Sequence, residues 1–204
     1  MAIKLSVKKR EQGRVLSLGG RLLPDGKTWV IPDEIRDINA FASWLPQSEG
    51  FIVQRPYFVV RGKCSCWKCG QETPAVALGA KCYQELSFLT ADTLQWEGAE
   101  GEPILFTQID YLDETISRSL QEHYAFYKQT YSKKLRKKEW GNCCVHCQAL
   151  QEEGDDWRYD FRNPFSPVSV EDAMEMRIIY FKLSFDYYIS GGYQCGGLFA
   201  EMMR

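Results

Sequence analysis

Two cysteine motifs constrain the fold of this 204-residue chain more than any other feature of its sequence. They are Cys66-Trp67-Lys68-Cys69 and Cys144-Val145-His146-Cys147, and each has the spacing C-x-x-C. This spacing puts two sulfur atoms about one tight turn apart, so each motif can supply two adjacent corners of a tetrahedron around one metal ion. Together the motifs predict a closed structural zinc site with Cys66, Cys69, Cys144 and Cys147 as its ligands.

Other residues close to the motifs leave alternatives open. A single C-x-x-C motif is also typical of a redox-active dithiol, although two such motifs favour a metal. Cys64, Cys143 or His146 could replace one of the four ligands. However, Cys64 and Cys66 lack the usual spacing of a metal-binding turn, and the adjacent Cys143 and Cys144 cannot easily direct both sulfur atoms at one ion.

A metal ion at this site would act mainly as a structural link. Bringing together two motifs that are about 74 residues apart costs roughly 4 kcal/mol of chain entropy. Zinc binding to small thiolate sites is worth on the order of 10–16 kcal/mol, which exceeds that cost. Four thiolate ligands also leave no position for a water molecule, so hydrolytic zinc chemistry is not expected.

The charge and cysteine content indicate the broad class of protein. The 25 basic and 27 acidic side chains give a formal charge of −2, so no long-range attraction to nucleic acid or to an anionic membrane is expected. No apolar signal region follows the first residues, and no stretch approaches the roughly 20 apolar residues that span a bilayer. Eight cysteines in such a chain are typical of reduced thiols, which predicts a cytoplasmic protein.

Local patterns predict several elements of secondary structure. Apolar arms on either side of Asp25-Gly26 predict a hairpin over residues 21–31, and an apolar face predicts a helix from Asp33 to Trp44. From Asp113 to about Lys138 a single apolar stripe recurs at spacings of three and four, which predicts one long amphipathic helix. The stripe consists of Ile116, Leu120, Tyr124, Tyr127, Tyr131 and Leu135.

The N-terminal segment resembles a small domain of unknown function that recurs in bacterial mobile-element proteins, sometimes beside plasmid-type primases. The resemblance covers about residues 3–47 and rests on spaced glycines and aromatic residues. These are Leu18-Gly19-Gly20, Lys27 with Trp29-Val30-Ile31-Pro32, and Phe41 with Trp44-Leu45-Pro46. No catalytic residue is attached to this pattern.

The two cysteine motifs and their flanks resemble the halves of a split zinc ribbon in uncharacterised bacterial proteins. The first half is Cys66 to Leu78, and the second includes Tyr131-Ser132-Lys133, Trp140, Asn142, Cys144, His146, Cys147, Ala149-Leu150-Gln151 and Gly154-Asp155. The resemblance implies the same four cysteine ligands. The chain departs from the pattern at Cys143, where histidine is usual, and at Gln148, where glycine is usual.

These observations together predict an α+β fold in two units. Residues 1–47 would form a small hairpin-plus-helix unit. Residues 48–204 would form a zinc-ribbon domain with inserted strands and the long amphipathic helix.

A run of basic residues, together with the mobile-element resemblance of the N-terminal segment, indicates nucleic acid as a partner. Its members are Lys133, Lys134, Arg136, Lys137 and Lys138. At the end of the predicted helix these side chains could contact phosphates, or they could simply complement the helix dipole in solvent. Trp67 could stack on a base, or it could pack against the ribbon itself.

The sequence contains no recognisable catalytic motif. His123 and His146 belong to no triad or metallopeptidase pattern, and no glycine loop has the spacing that cradles phosphates. The leading hypothesis is therefore a non-enzymatic bacterial zinc-binding module, without an organic cofactor, that binds a macromolecule, with nucleic acid slightly favoured over protein. The alternatives are a protein-interaction adaptor or inhibitor that uses the aromatic C-terminal segment, and a cryptic hydrolase or nuclease.

Overall fold

The computed structural model describes residues 3–46, 50–90, 93–151, 163–181 and 185–195. Strands dominate the described residues and the helices are few and short, so the expected α+β class with a long helix is wrong. The described strands are β1 (Ile3–Leu5), β2 (Arg21–Leu22), β3 (Trp29–Ile31), β4 (Phe51–Val53), β5 (Tyr57–Ser65), β6 (Glu72–Thr90), β7 (Thr93–Leu112), β8 (Tyr127–Ser132), β9 (Lys137–Asn142), β10 (Arg177–Phe181) and β11 (Tyr187–Cys195). The described α-helices are α1 (Gln12–Ser17), α2 (Glu114–His123) and α3 (Val170–Met174), and short 3-10 helices span Lys9–Glu11 and Asn39–Trp44.

The N-terminal strands form a small antiparallel sheet in the order β1-β3-β2. Strands β2 and β3 pair across the turn at Asp25, whose carboxylate accepts hydrogen bonds of 2.9 Å from the backbone N–H groups of Lys27 and Thr28. The predicted helix from Asp33 to Trp44 is wrong, because only its second half is helical and that half is a 3-10 helix. The Asp37 carboxylate accepts from the backbone N–H of Asn39 at 3.0 Å, and this local bond competes with a helical start.

The remaining strands form one large sheet in the order β10-β5-β6-β4-β11-β7-β9-β8. An additional pairing joins β6 to β7, so that β6, β4, β11 and β7 pair in a closed ring. Strands β10 and β8 are the two ends of the sheet. The ring and α2 enclose a core of apolar side chains that includes Phe51, Leu78, Ile104, Ile109, Ile116, Leu120 and Ile189.

The prediction of one long helix from Asp113 to about Lys138 is also wrong. The structure describes every residue of this segment. Helix α2 begins after Asp113, whose carboxylate accepts from the backbone N–H of Thr115, and it ends at His123. The chain then forms the antiparallel pair β8–β9, which joins the main sheet where Trp140 pairs with Ile109 of β7. The sequence of β8, Tyr-Lys-Gln-Thr-Tyr-Ser, is rich in aromatic and β-branched residues, which favour a strand once a neighbouring strand is available.

The small N-terminal sheet packs against the main sheet through apolar and polar contacts. Ile52 and Trp96 of the main sheet belong to the same apolar cluster as Ile31 and Phe41. The Asn39 side chain accepts from the backbone N–H of Trp96 at 2.9 Å and donates to its carbonyl at 3.3 Å. The division into units at residues 1–47 and 48–204 stays a prediction. None of the helices in the described ranges has the length and apolar content needed to cross a membrane.

Candidate metal centre

The first cysteine motif forms a tight turn between β5 and β6. The backbone N–H of Gly70 donates to the carbonyl of Cys66 at 2.8 Å, and the N–H of Cys66 donates to the carbonyl of Gln71 at 2.9 Å. The backbone N–H of Lys68 points at the Cys66 sulfur, 3.4 Å away. Gly70 closes the turn with a φ of 73°, in the left-handed region that glycine adopts most readily.

The second motif repeats this turn after β9 almost bond for bond. The N–H of Gln148 donates to the carbonyl of Cys144 at 2.9 Å, and the N–H of Cys144 donates to the carbonyl of Ala149 at 2.8 Å. The N–H of His146 points at the Cys144 sulfur from 3.4 Å. Gln148 has a φ of 60° and therefore takes the place that Gly70 has in the first turn.

This equivalence predicts opposite effects for two substitutions. Gly70→Ala will lower the free energy of unfolding by about 1 kcal/mol, because a side chain in the left-handed region is strained although nothing lies within 4 Å of the added Cβ. Gln148→Gly will raise the free energy of unfolding by roughly 0.5 kcal/mol, since relief of that strain exceeds the loss of two exposed hydrogen bonds, one from Lys128 and a long one to the carbonyl of Val145. Urea unfolding measures both changes.

Gly13→Ala in α1 is the matched control, because its added Cβ also meets nothing within 4 Å and helical alanine is favoured over glycine. A Gly70→Ala protein as stable as Gly13→Ala would contradict the left-handed conformation of the turn.

The two turns bring the four predicted sulfur atoms together. The Cys66 and Cys147 sulfurs are 3.6 Å apart, the Cys69 and Cys144 sulfurs are 3.7 Å apart, and all four lie within 4.8 Å of one another. A disulfide bond would need about 2.05 Å. A tetrahedral site with metal–sulfur bonds of about 2.3 Å has sulfur–sulfur edges of about 3.8 Å, so the four cysteines could hold one metal ion.

The surroundings of the thiols affect their acidity unequally. Burial opposes ionisation of Cys66 and Cys144, but hydrogen bonds from backbone N–H groups in each turn outweigh it. They lower the pKa of Cys66 to about 6 and also lower the pKa of Cys144. A backbone hydrogen bond at Gln71 favours the Cys69 thiolate, but burial and the three neighbouring thiols raise its pKa to about 12. Four thiolates this close together require a cation to balance their charge.

Each turn also holds the chain that follows the other turn. The indole N–H of Trp67 donates to the carbonyl of Leu150 at 2.7 Å. In the reverse direction, the Nε2–H of His146 donates to the carbonyl of Glu72 at 3.0 Å, and the N–H of Val145 donates to the Thr73 hydroxyl at 3.1 Å. The His146 imidazole is therefore hydrogen-bonded to the backbone, and only the backbone N–H of this residue is directed at the sulfur cluster.

Gln151 connects the sulfur cluster to both turns, and the sequence analysis gave it no role. Its buried side-chain amide donates to the Cys66 sulfur at 3.4 Å and to the carbonyl of Ala149 at 2.7 Å. Its amide oxygen accepts from the backbone N–H of Trp67 at 3.4 Å. A donor to a thiolate sulfur stabilises its negative charge and fixes its direction.

Asn142 attaches the second turn to the main sheet and was likewise missed. Its fully buried side chain accepts from the N–H of Val76 at 2.8 Å and donates to the carbonyl of Val76 at 2.9 Å. The amide thus satisfies both backbone groups of Val76 on the side of β6 that faces away from β5. The carbonyl of Asn142 accepts from the N–H of Gln151 at 2.8 Å, which closes the base of the second turn.

The alternative ligands lie outside the sulfur cluster. Cys64 is buried in a second apolar cluster with Phe58, Val60 and Phe165. Cys143 is buried, and its N–H donates to the carbonyl of Phe126 at 2.8 Å. The group of potential metal ligands found in the described part of the chain contains the four C-x-x-C cysteines and neither of these two.

The five basic residues lie at the far end of the hairpin β8–β9. Lys133, Lys134 and Arg136 belong to the connecting turn, and Lys137 and Lys138 begin β9. Cys144 lies six positions after Lys138, or roughly 20 Å of extended chain. The basic end and the sulfur cluster therefore occupy opposite ends of the hairpin, and Trp67 lies at the cluster end, about half exposed.

Comparison with known proteins identifies no relative. No protein-family model matches the chain, and neither a curated protein nor a solved structure matches it. The resemblances to split zinc-ribbon proteins and to the mobile-element domain therefore stay predictions. The fold and the sulfur cluster define a β-rich protein with a candidate four-cysteine metal centre.

Proposed function

We propose that the protein holds one structural zinc ion through Cys66, Cys69, Cys144 and Cys147. The observation that carries this proposal is the approach of all four sulfur atoms to within 4.8 Å of one another in two turns of equal geometry. An all-sulfur tetrahedral set is selective for zinc or iron, and it leaves no open position for a substrate. The ion would link β5 and β6 to β9. None of its four ligands would take part in catalysis.

We further propose that the basic end of the β8–β9 hairpin binds nucleic acid. Lys133, Lys134, Arg136 and Lys138 are exposed, and the Lys137 side chain is 42% exposed beside its ion-pair partner Asp110. A helix would distribute six consecutive side chains around its whole circumference, whereas a hairpin turn collects them at one tip. The rival role of these residues as complements to a helix dipole has no support, because residues 133–138 are not helical.

The alternative functions have weaker support. Tyr187 and Ile189 of the aromatic C-terminal segment lie in the core, so the described part of that segment offers no broad apolar surface to a protein partner. A hydrolase would need a carboxylate cluster. Three aspartates do line a cavity of about 690 Å³, but each is ion-paired: Asp110 with Lys137, Asp113 with Lys4 and Asp186 with Arg55.

The nucleic-acid proposal predicts a steep dependence of affinity on salt. If the five basic side chains each contact a phosphate, the logarithm of the association constant will fall with the logarithm of salt concentration with a slope of about −3.5 to −4.5. The double variant Lys134→Glu with Lys138→Glu will flatten this slope by roughly two units, with the metal content unchanged. Fluorescence anisotropy of labelled oligonucleotides over a salt series measures the slope.

The matched control is Lys9→Glu with Lys27→Glu, which changes the net charge equally at exposed positions in the first 46 residues, outside the hairpin. Equal losses of affinity in the two double variants would mean that overall charge, not the hairpin, governs binding. Absence of binding tighter than about 100 μM at low salt would end the nucleic-acid proposal.

A further inference from the structure

Tyr131 is an exposed aromatic residue beside the basic end of the β8–β9 hairpin. It lies in β8 directly opposite Lys138 of β9, so the two side chains extend from the same face of the hairpin. The Tyr131 residue is 57% exposed, and no ring contact joins it to any residue in the described part of the chain. An exposed ring among lysines has little effect on folding and remains accessible to a ligand.

The same face carries three aromatic side chains whose exposure to solvent increases towards the tip of the hairpin. Opposite residues share a face, so Tyr131 and Lys138 are followed by Gln129 with Trp140 and then by Tyr127 with Asn142. The rings of Tyr127 and Trp140 are stacked, with centroids 6.1 Å apart and planes 25° apart. Tyr127 is buried in the core, Trp140 is partly buried and Tyr131 is exposed. The exposed ring of Tyr131 therefore lies on a hairpin that the packed rings of Tyr127 and Trp140 hold against the core.

The other face of the hairpin is directed inward near the tip. Ser132 and Glu139 of that face are both buried. The accessible side is thus the face of Tyr131 and Lys138. Strand β8 is also a terminal strand of the sheet, so within the described ranges no further strand covers its outer edge.

A flat, exposed ring beside phosphate-binding side chains favours single-stranded over double-stranded nucleic acid. In a duplex the faces of the bases are covered by their neighbours, whereas an unpaired base can place its face on an aromatic ring. Building on the proposed nucleic-acid function, we propose that the hairpin binds single-stranded nucleic acid, with one base stacked on Tyr131. Lys138 and the basic residues of the turn contact the phosphates on either side of that base.

The experiment compares labelled single strands of about 12 nucleotides, in DNA and RNA forms, with the corresponding duplex. We expect the wild-type protein to bind the single strands more tightly. Tyr131→Ala will weaken single-strand binding roughly tenfold, with duplex binding and the salt slope unchanged, and Tyr131→Phe will retain the wild-type affinity.

Tyr180→Ala is the matched control, since Tyr180 is 52% exposed on β10, the opposite terminal strand of the same sheet. It will bind single strands as tightly as the wild type. Melting temperatures of all variants will show that each one is folded.

The outcomes separate this inference from the function on which it rests. Equal or tighter binding of the duplex, or a Tyr131→Ala protein with wild-type affinity for single strands, would overturn the single-strand inference and leave nucleic-acid binding intact. Absence of binding to every oligonucleotide would overturn both. A preference for RNA over DNA of the same sequence would keep the inference and identify the sugar as a further contact.

Discussion

Loss of the metal ion will destabilise the protein by about 5 kcal/mol or more, because zinc bound only by the folded state contributes its binding free energy to folding. A domain of this kind is stable by only about 5–15 kcal/mol in total. Cys66→Ser and Cys144→Ser each remove one thiolate and will abolish stoichiometric zinc binding. Metal analysis and urea unfolding of the purified variants measure the two effects.

Cys82→Ser and Cys64→Ser provide the controls. Cys82 lies half-buried in β6, and Cys64 lies in an apolar cluster, so neither change removes a sulfur atom from the metal centre. Both proteins will keep one zinc ion per chain. Loss of zinc in Cys64→Ser would move one ligand position to that residue.

Hydrogen exchange will show where the destabilisation is concentrated. After treatment with a chelator, we expect protection to fall most at residues 62–76 and 126–151, which form the two turns and the hairpin beside them. The closed ring of β4, β6, β7 and β11 will retain more protection, because most of its apolar core lies outside these ranges and none of the four cysteines belongs to it. Equal protection with and without metal would mean that the ion does not support the fold.

Replacing Asn142 with alanine will lower the free energy of unfolding by roughly 3 kcal/mol. The change leaves the buried N–H and carbonyl of Val76 without the two hydrogen bonds of 2.8 and 2.9 Å that Asn142 makes. Each unsatisfied buried group costs about 1–3 kcal/mol. Urea unfolding of the zinc-loaded protein measures the loss. The variant Asn39→Ala, which also removes two hydrogen bonds to one backbone residue, will cost less because Asn39 is only partly buried.

Asn142→Asp tests the same contact through its pH dependence. A protonated carboxyl can both accept from and donate to Val76, whereas the ionised form cannot donate and is buried as a charge. Burial will therefore raise the folded-state pKa above the unfolded value of about 3.9. The stabilisation by the protonated form is fully present below that value and is lost as pH rises through the raised pKa. An Asn142→Asp protein that is equally stable at pH 4 and pH 7, relative to the wild type, would contradict this role.

The candidate metal centre was predictable because its geometry is local. Within each motif, two residues separate the cysteines, and a single turn fixes both sulfur atoms regardless of the rest of the chain. Gly70 gives a further local signal for the first turn. Gln148 obscures the same signal in the second turn, although its φ of 60° shows that the backbone conformation is the same.

The hairpin β8–β9 was missed because its determinants are distant in sequence. Ile116 and Leu120 of α2 and Tyr124, which directly follows α2, are buried in the core, as the helical stripe predicts. The continuation of the stripe to Tyr127 and Tyr131 fits a helix equally well in sequence. The segment forms strands because β8 pairs with β9 and β9 pairs with β7. The periodicity of apolar residues within the segment cannot reveal pairings with other parts of the chain.

Asn142 and Gln151 were missed for a related reason. Their hydrogen bonds join residues that are 66 and 85 positions apart in the chain. A polar side chain beside a cysteine motif gives no sign in sequence that it will be buried. The N-terminal turn at Asp25 was readable because its partners are Lys27 and Thr28, only two and three residues away.

X-ray absorption at the zinc edge of the purified protein tests the four-cysteine centre most directly. We expect one zinc ion per chain, surrounded by four sulfur atoms at about 2.3 Å. A shell that contains nitrogen or oxygen would mean that His146, water or another group takes part. A protein purified under reducing conditions that binds no stoichiometric metal would contradict the proposed centre altogether.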